Sequence, residues 1–205
     1  MAKIKLTKNE LKKQKDALKM FQRYLPTLQL KKQQLQTEIR GIETKARELA
    51  AIRSGVLNEI HAWIAVFGEE DEFRKSDGSW LVSVDRIRTG IGNIAGVEIP
   101  IFEGVEFSLE DYDLFAKPLW IDKALDRIKA MLRLDLEIKV LDEQIFRLAN
   151  ELRITSQRVN LFEKVKIPET LVYIKRIRIY LGDQQIAQVV RGKISKRKVI
   201  ERSAS

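Results

Sequence analysis

Apolar residues recur every three or four positions from Leu11 onward. With Leu11 as the first heptad position, the seam runs Leu11, Gln14, Leu18, Phe21, Leu25, Leu28, Lys32, Leu35, Ile39, Ile42, Ala46, Leu49, Arg53, Val56, Ile60, Trp63, Phe67. Fourteen of these seventeen positions are apolar. A period of 3.5 residues kept over that length predicts a helix across residues 1–67, supercoiled left-handedly on a partner, because a straight surface helix would drift off such a stripe. Thr7 followed by Glu10 has the capping-box spacing, so the helix is expected to start near Lys8. The polar seam positions Gln14, Lys32 and Arg53 suit a seam that fixes register. Pro26 removes one helix hydrogen bond and crowds the preceding turn, which predicts a kink or short break.

A second seam occupies residues 119–205. Ile121, Leu125, Ile128 and Leu132 open it; after a phase shift near Leu136 it resumes as Ile138, Leu141, Ile145, Leu148, Leu152, Thr155, Val159 and Phe162. Pro168 interrupts, and Leu171, Ile174, Ile177 and Leu181 carry the stripe towards a basic tail from Arg191 to Lys198. Two long seams in one chain predict an antiparallel helical pair, in which sixty residues span roughly 90 Å. If Ile64 faces Ile128, Pro26 lies opposite about residue 164, nearly level with Pro168.

Between the seams, residues 68–118 change period. Trp80 to Val84 and Val97 to Phe102 are short and rich in β-branched residues, which reads as two strands. Thr89-Gly90-Ile91-Gly92-Asn93 supplies turn residues between them. The expected object is a small β-hairpin capping the turn of the helical pair, with Pro100 at an edge or bulge because it cannot donate to a ladder. The fold class is therefore mainly α: a long antiparallel two-helix coiled coil formed by the terminal segments, with a small hairpin-containing insert. The domain reading is a single rod-like unit in three parts, 1–67, 68–118, and 119–205 with its basic tail.

Charge sharpens this division. The net charge is +9, yet residues 68–118 hold twelve acidic and five basic side chains, a net of −7, which leaves +16 for the two ends. Lys12, Lys13, Lys15, Lys19, Lys175, Arg176, Arg178, Lys193, Lys196, Arg197 and Lys198 are expected together at the open end of the helical pair. Such a patch could bind phosphates through counterion release, as a basic coiled-coil protein bridging nucleic acid would, or keep a solvated rod from self-association. A cytoskeletal or scaffold rod is a third reading. No aromatic interleaving or helix-turn-helix pattern accompanies the cations.

Candidate chemistry is sparse. With no Cys and one His, thiol catalysis, disulfides, Cys-ligated metals and His clusters are excluded. Gly90-Ile91-Gly92 falls short of a dinucleotide fingerprint, no phosphate loop is present, and His61 reads as a helix-surface or partly packed residue. The acidic run Glu69 to Glu72 reads as solvated, and Trp63, Trp80 and Trp120 as packing where helices meet insert. No catalytic residue, cofactor or metal site is expected. No apolar stretch reaches eighteen residues, so neither a secretory signal nor a membrane span is expected.

The residues around Pro168 carry a resemblance. Arg158-Val159-Asn160, Glu163 and Ile167-Pro168 resemble the R-V-N-x-x-E-x-x-x-I-P signature of the D subunits of the rotary vacuolar-type and archaeal-type ATPases and their bacterial relatives. Tyr173-Ile174-Lys175, Ala95-Gly96-Val97-Glu98-Ile99-Pro100 and the opening Leu6-Thr7-Lys8-Asn9-Glu10-Leu11 are similar to further elements of that family, in the same order. Gln157 stands where the family has a first Arg, and Leu28 to Leu35 is a reduced form of its first-helix element, as in a divergent bacterial branch. The resemblance implies a non-catalytic central-stalk rotor that couples ATP synthesis or hydrolysis to ion transport. Its implied partners are the F subunit, the catalytic and non-catalytic A and B subunits, and a funnel-shaped protein at the membrane ring. The implied location is cytoplasmic and peripheral to the membrane. It also implies that Arg158, Val159, Asn160, Glu163, Ile167 and Pro168 form rotor structure or contacts, and that the end bearing Lys12, Lys13, Lys193, Lys196, Arg197 and Lys198 faces the hexamer.

Overall fold

A computed structural model describes residues 4–62, 81–109, 112 and 120–203. The elements in chain order are α1 (Lys8–Ala62), β1 (Val82–Ile94), β2 (Val97–Leu109), α2 (Ile121–Asn160), a π-helical turn (Leu161–Lys166) and α3 (Ile167–Ser203). The seam residues beyond Ala62, Trp63 and Phe67, lie outside the described residues, as do Trp80 and the acidic run Glu69 to Glu72.

Helix α1 starts where its cap predicts. The Glu10 N–H donates to Thr7 Oγ1 at 3.3 Å and the Leu11 N–H to the Thr7 carbonyl at 3.0 Å. The Glu10 carboxylate does not close the box; it accepts from Gln14 Nε2 at 2.8 Å. Every heptad position from Leu11 to Ile60 is buried or half-buried, Gln14, Lys32 and Arg53 included. The seam was thus readable to single-residue resolution along α1. Of the kink or short break expected at Pro26, the break does not occur: α1 is continuous through it. A proline removes one bond of a long ladder, and 55 residues of helix tolerate that single loss.

Two compact units divide the described chain: Met1–Lys32 with Ile154–Ser205, and Gln33–Arg153. In the second unit, α1 and α2 run antiparallel and the hairpin lies against them. Leu35, Ile99 and Leu148 form one buried cluster, with Ile39, Ile42, Ile94, Val97 and Leu152 around it. Leu81, Ile121 and Leu125 form another, joined by Val82, Tyr112 and Trp120. The hairpin therefore folds along the helices with its tip at Leu35 and Leu148, which corrects the expectation that it caps a helical turn. Its tip is apolar, and burying Ile94, Val97 and Ile99 against two helices removes them from water. Side chains of α2 fasten it: Gln144 Nε2 donates to the Pro100 carbonyl, and Arg147 Nη1 reaches the Glu98 carbonyl at 3.5 Å.

The hairpin is also longer than expected, thirteen residues in each strand. Thr89 to Asn93, read as a turn, is strand, and the reversal falls at Ala95-Gly96, with φ of 51° and 81°. Asn93 Oδ1 accepts the Gly96 N–H at 3.0 Å and holds this reversal. Gly92 serves the ladder rather than a turn, since a Cβ there would come within 2.6 Å of Ile101 Cδ1. Pro100 pairs with Ile91 in a two-stranded sheet, where both strands are edges.

In the first unit, the start of α1 pairs with the end of α2, the π turn and α3. Phe21 packs on Phe162 with ring centroids 5.2 Å apart and the rings tilted by 38°. Counting outward from that contact, Pro26 falls level with Gln157. The two prolines are therefore not at one height, and the assumed register was wrong by more than a turn. Thr155, Val159, Thr170, Ile174 and Ile177 are the buried positions of this unit. Leu171, expected on the stripe, is 48% exposed and Thr170 takes its place. The π turn sets which residues are buried here. A heptad run continued from Thr155, Val159 and Phe162 would reach 169, 173 and 176, whereas the buried residues are Thr170, Ile174 and Ile177. One extra residue in a wider turn accounts for that slip.

Candidate partner-binding surfaces

The signature residues flank the π turn, with Glu163 inside it. Asn160 ends α2 in helical conformation, and the Ile167 N–H bonds to the Phe162 carbonyl five residues back. Pro168 follows as the second residue of α3, where its missing N–H falls just after the widened turn. Val159 is 5% exposed and packs, and Ile167 is half-buried; Arg158, Asn160, Glu163 and Pro168 face solvent. No residue of the turn itself is buried. Two local bonds secure the next turn of helix: Thr170 Oγ1 donates to the Lys166 carbonyl and Tyr173 Oη to Glu169 Oε1, both at 2.6 Å. The bond to Glu169 raises the Tyr173 hydroxyl above its ordinary pKa. The signature thus shapes the helix and presents polar side chains, and its own residues form no pairing suited to acid–base or nucleophilic work.

Lys12 and Lys13 are exposed near the start of α1; Lys193, Lys196, Arg197 and Lys198 are exposed on α3, with Arg197 paired to Glu201 at 3.5 Å. From Gln188 to Ser203 every side chain is exposed, apolar ones included: Val189 is 58%, Val199 63% and Ile200 56% exposed. Opposite the buried stripe, α3 and the π turn carry a second apolar stripe at intervals of seven: Val165, Val172, Ile179 and Ile186 are 48%, 60%, 56% and 65% exposed. The sequence reading missed this stripe, although its heptad spacing is legible. Large uncovered apolar surfaces mark places where other chains bind.

A basic groove runs between α1 and α3. Lys8, Lys12, Lys15, Lys19 and Arg178 line it around a floor that includes Leu11, Leu18, Leu171 and Ile174. Lys8 was not among the expected basic cluster, though the spacing of four, three and four through Lys12, Lys15 and Lys19 puts all four on one helix face. Among the described residues no group of His, Asp or Glu could hold a metal, and no helix is long and apolar enough to cross a membrane. His61 is exposed and Trp120 packs against the Leu81 cluster, as expected for both.

Residues 10–197 match the family model for the D subunit of ATP synthase. The D subunit of the V-type ATP synthase of Borreliella burgdorferi is 50% identical over 203 residues, covering 99% of this chain and 98% of that protein. The V-type ATP synthase D subunit of Chlamydia trachomatis is 35% identical over 196 residues, covering 96% of each. That of Chlamydia pneumoniae is 36% identical over 204 residues, covering 98% and 95%.

Proposed function

Because the chain belongs to the family of ATP synthase D subunits, we propose that it is the central-stalk rotor of a V/A-type ATP synthase, joining ATP turnover in a catalytic hexamer to ion transport. The observation that carries this reading is a match over nearly the whole chain, helices and insert alike, to proteins of that name. A stalk protein does no bond chemistry itself. It must transmit force, for which paired helices sharing a long apolar seam are stiffer than one helix, and it must meet each surrounding protein differently, which unlike helices allow. No finding favours the nucleic-acid alternative.

The finer assignments follow from the same reading. The A and B subunits surround the terminal helices, the F subunit binds alongside, and a funnel-shaped protein joins the stalk to the membrane ring, which keeps the chain cytoplasmic and peripheral. The three segments 1–67, 68–118 and 119–205 divide these contacts among them. The basic end with Lys12, Lys13, Lys193, Lys196, Arg197 and Lys198 faces the hexamer, and its exposed apolar stripes supply contact area there. Arg158, Asn160 and Glu163 present polar contacts from the π turn, while Val159, Ile167 and Pro168 hold its shape. Exposed, screened charges suit a moving contact, since strong buried pairs would resist turning. Truncation after Gly192 tests the assignment: ATP hydrolysis by the reconstituted complex should lose its coupling to ion transport while the melting temperature of the isolated chain changes little. Unchanged coupling would remove the tail from the hexamer.

A further inference from the structure

We propose that the basic groove between α1 and α3 holds an acidic segment with an apolar anchor, contributed by one protein of the surrounding hexamer; the proposal rests on the central-stalk reading above. Three observations carry it. Lys8, Lys12, Lys15 and Lys19 form a row whose 4-3-4 spacing keeps them on one face over about 16 Å of helix, and Arg178 faces them from α3. Among the described residues none of the five has an ion-pair partner, although ion pairs tie down cations elsewhere in the chain. Asp16, the one carboxylate lining the groove, is not within ion-pairing distance of any of them.

The clustering of like charges is unfavourable in the isolated chain. Four lysines on one face repel one another, and Lys8 stands in the first turn of a helix, where the dipole favours anions. A carboxylate-rich segment relieves both terms. The floor selects among anionic partners. Leu11, Leu18, Leu171 and Ile174 line it, and Leu171 remains 48% exposed. A duplex backbone offers phosphates and no apolar group to set against Leu171, whereas an acidic peptide offers both. Carboxylates spaced three and four residues apart on a helix would match the lysine row. The π turn slips the stripe by one residue, which puts Thr170 inside and leaves Leu171 beside it, open at the edge of the groove. The family signature thereby sets the floor of the groove without touching the ligand.

The test measures affinity of the full-length chain for the assembled hexamer lacking it, across a salt series. In one variant Lys8, Lys12, Lys15, Lys19 and Arg178 are all changed to Gln. In a charge-matched control Arg40, Lys123, Arg133, Lys139 and Arg153 are changed to Gln, and in a third protein the four groove lysines become Arg. Circular dichroism establishes that each is helical. At low salt the groove variant should bind about tenfold or more weakly, with a flatter salt dependence, while the control and the Lys→Arg protein stay within about threefold of the parent. An equal loss in the control, or full affinity in the groove variant, would overturn the groove and leave the stalk reading standing. Displacement of the chain from the hexamer by duplex DNA at stoichiometric amounts would assign the groove to phosphate and overturn it too. A parent chain that binds no hexamer at any salt would sink both readings together.

Discussion

The two units handle the same helical pairing differently. Around Leu35 and Leu148 three elements converge, and cross-helix ion pairs reinforce the seam: Lys45 with Glu137 at 3.2 Å, Glu59 with Arg127 at 3.1 Å, and Arg53 with Asp135. In the other unit helices alone meet, an aromatic contact takes the place of a third layer, and the groove cations have no ion-pair partner among the described residues. The unit around Leu35 and Leu148 ties part of its seam with ion pairs between helices, while the other leaves the groove cations and the stripe from Val165 to Ile186 open.

The largest effect should come from core truncation. Leu148 and Ile177 are both 0% exposed, but Leu148 is enclosed by two helices and a hairpin, while Ile177 lies between helices only. Leu148→Ala is expected to cost about 3–5 kcal/mol in urea unfolding, and Ile177→Ala about 2–3 kcal/mol because a thin pair can close on the void. Equal costs would erase the contrast. Deletion separates the units as well. Removing Lys164 from the π turn should convert it to α-helix and leave both flanking stripes in phase, at about 1 kcal/mol or less. Removing Arg147 from α2 should throw the Leu148 seam out of register and unfold most of that unit at ambient temperature, as followed by circular dichroism.

Smaller effects test the fastenings of the hairpin. Gln144 is 7% exposed, and Gln144→Ala leaves the Pro100 carbonyl without its donor, for an expected loss of about 1–2 kcal/mol and faster amide exchange in β2. Smallest is a pH effect. The hydrogen bond from Tyr112 to Asp122 raises the Tyr112 hydroxyl from 10.0 to about 12, with burial and the charges of Asp122 and Asp126 adding to it. The folded state thus favours the protonated phenol, so this contribution is complete below pH 10 and is lost as the pH rises through about 12. Melting curves between pH 9 and 12 should show that loss in the parent and not in Tyr112→Phe; an identical slope in both would remove the Tyr112 bond from the balance.

How much of this was legible follows from what periodicity can encode. The α1 seam was readable from Leu11 to Ile60 because one unbroken helix keeps one phase. Leu171 was misplaced because it is the apolar neighbour of Thr170, and the seam buries the polar residue of the two; the π turn that fixes this phase inserts a residue without any gap in the hydrophobic pattern. The hairpin reversal was misplaced because Gly90 and Gly92 share the composition of a turn, while the left-handed positions fall at Ala95 and Gly96. Its docking along the helices depends on Ile99 meeting Leu35 and Leu148, a contact between segments far apart in sequence that no local period records. The signature was visible as a string of letters, and its physical content, a phase slip beside an open Leu171, needed coordinates.

The central claim is that this chain turns inside a ring, and its lack of cysteine makes a direct measurement clean. Val189→Cys, at a site 58% exposed on α3, can be cross-linked by oxidation to a single thiol placed in the surrounding hexamer. The account predicts that oxidation stops ATP turnover and that reduction restores it, because a locked shaft blocks the cycle of its sites. Full turnover with the cross-link in place would contradict it.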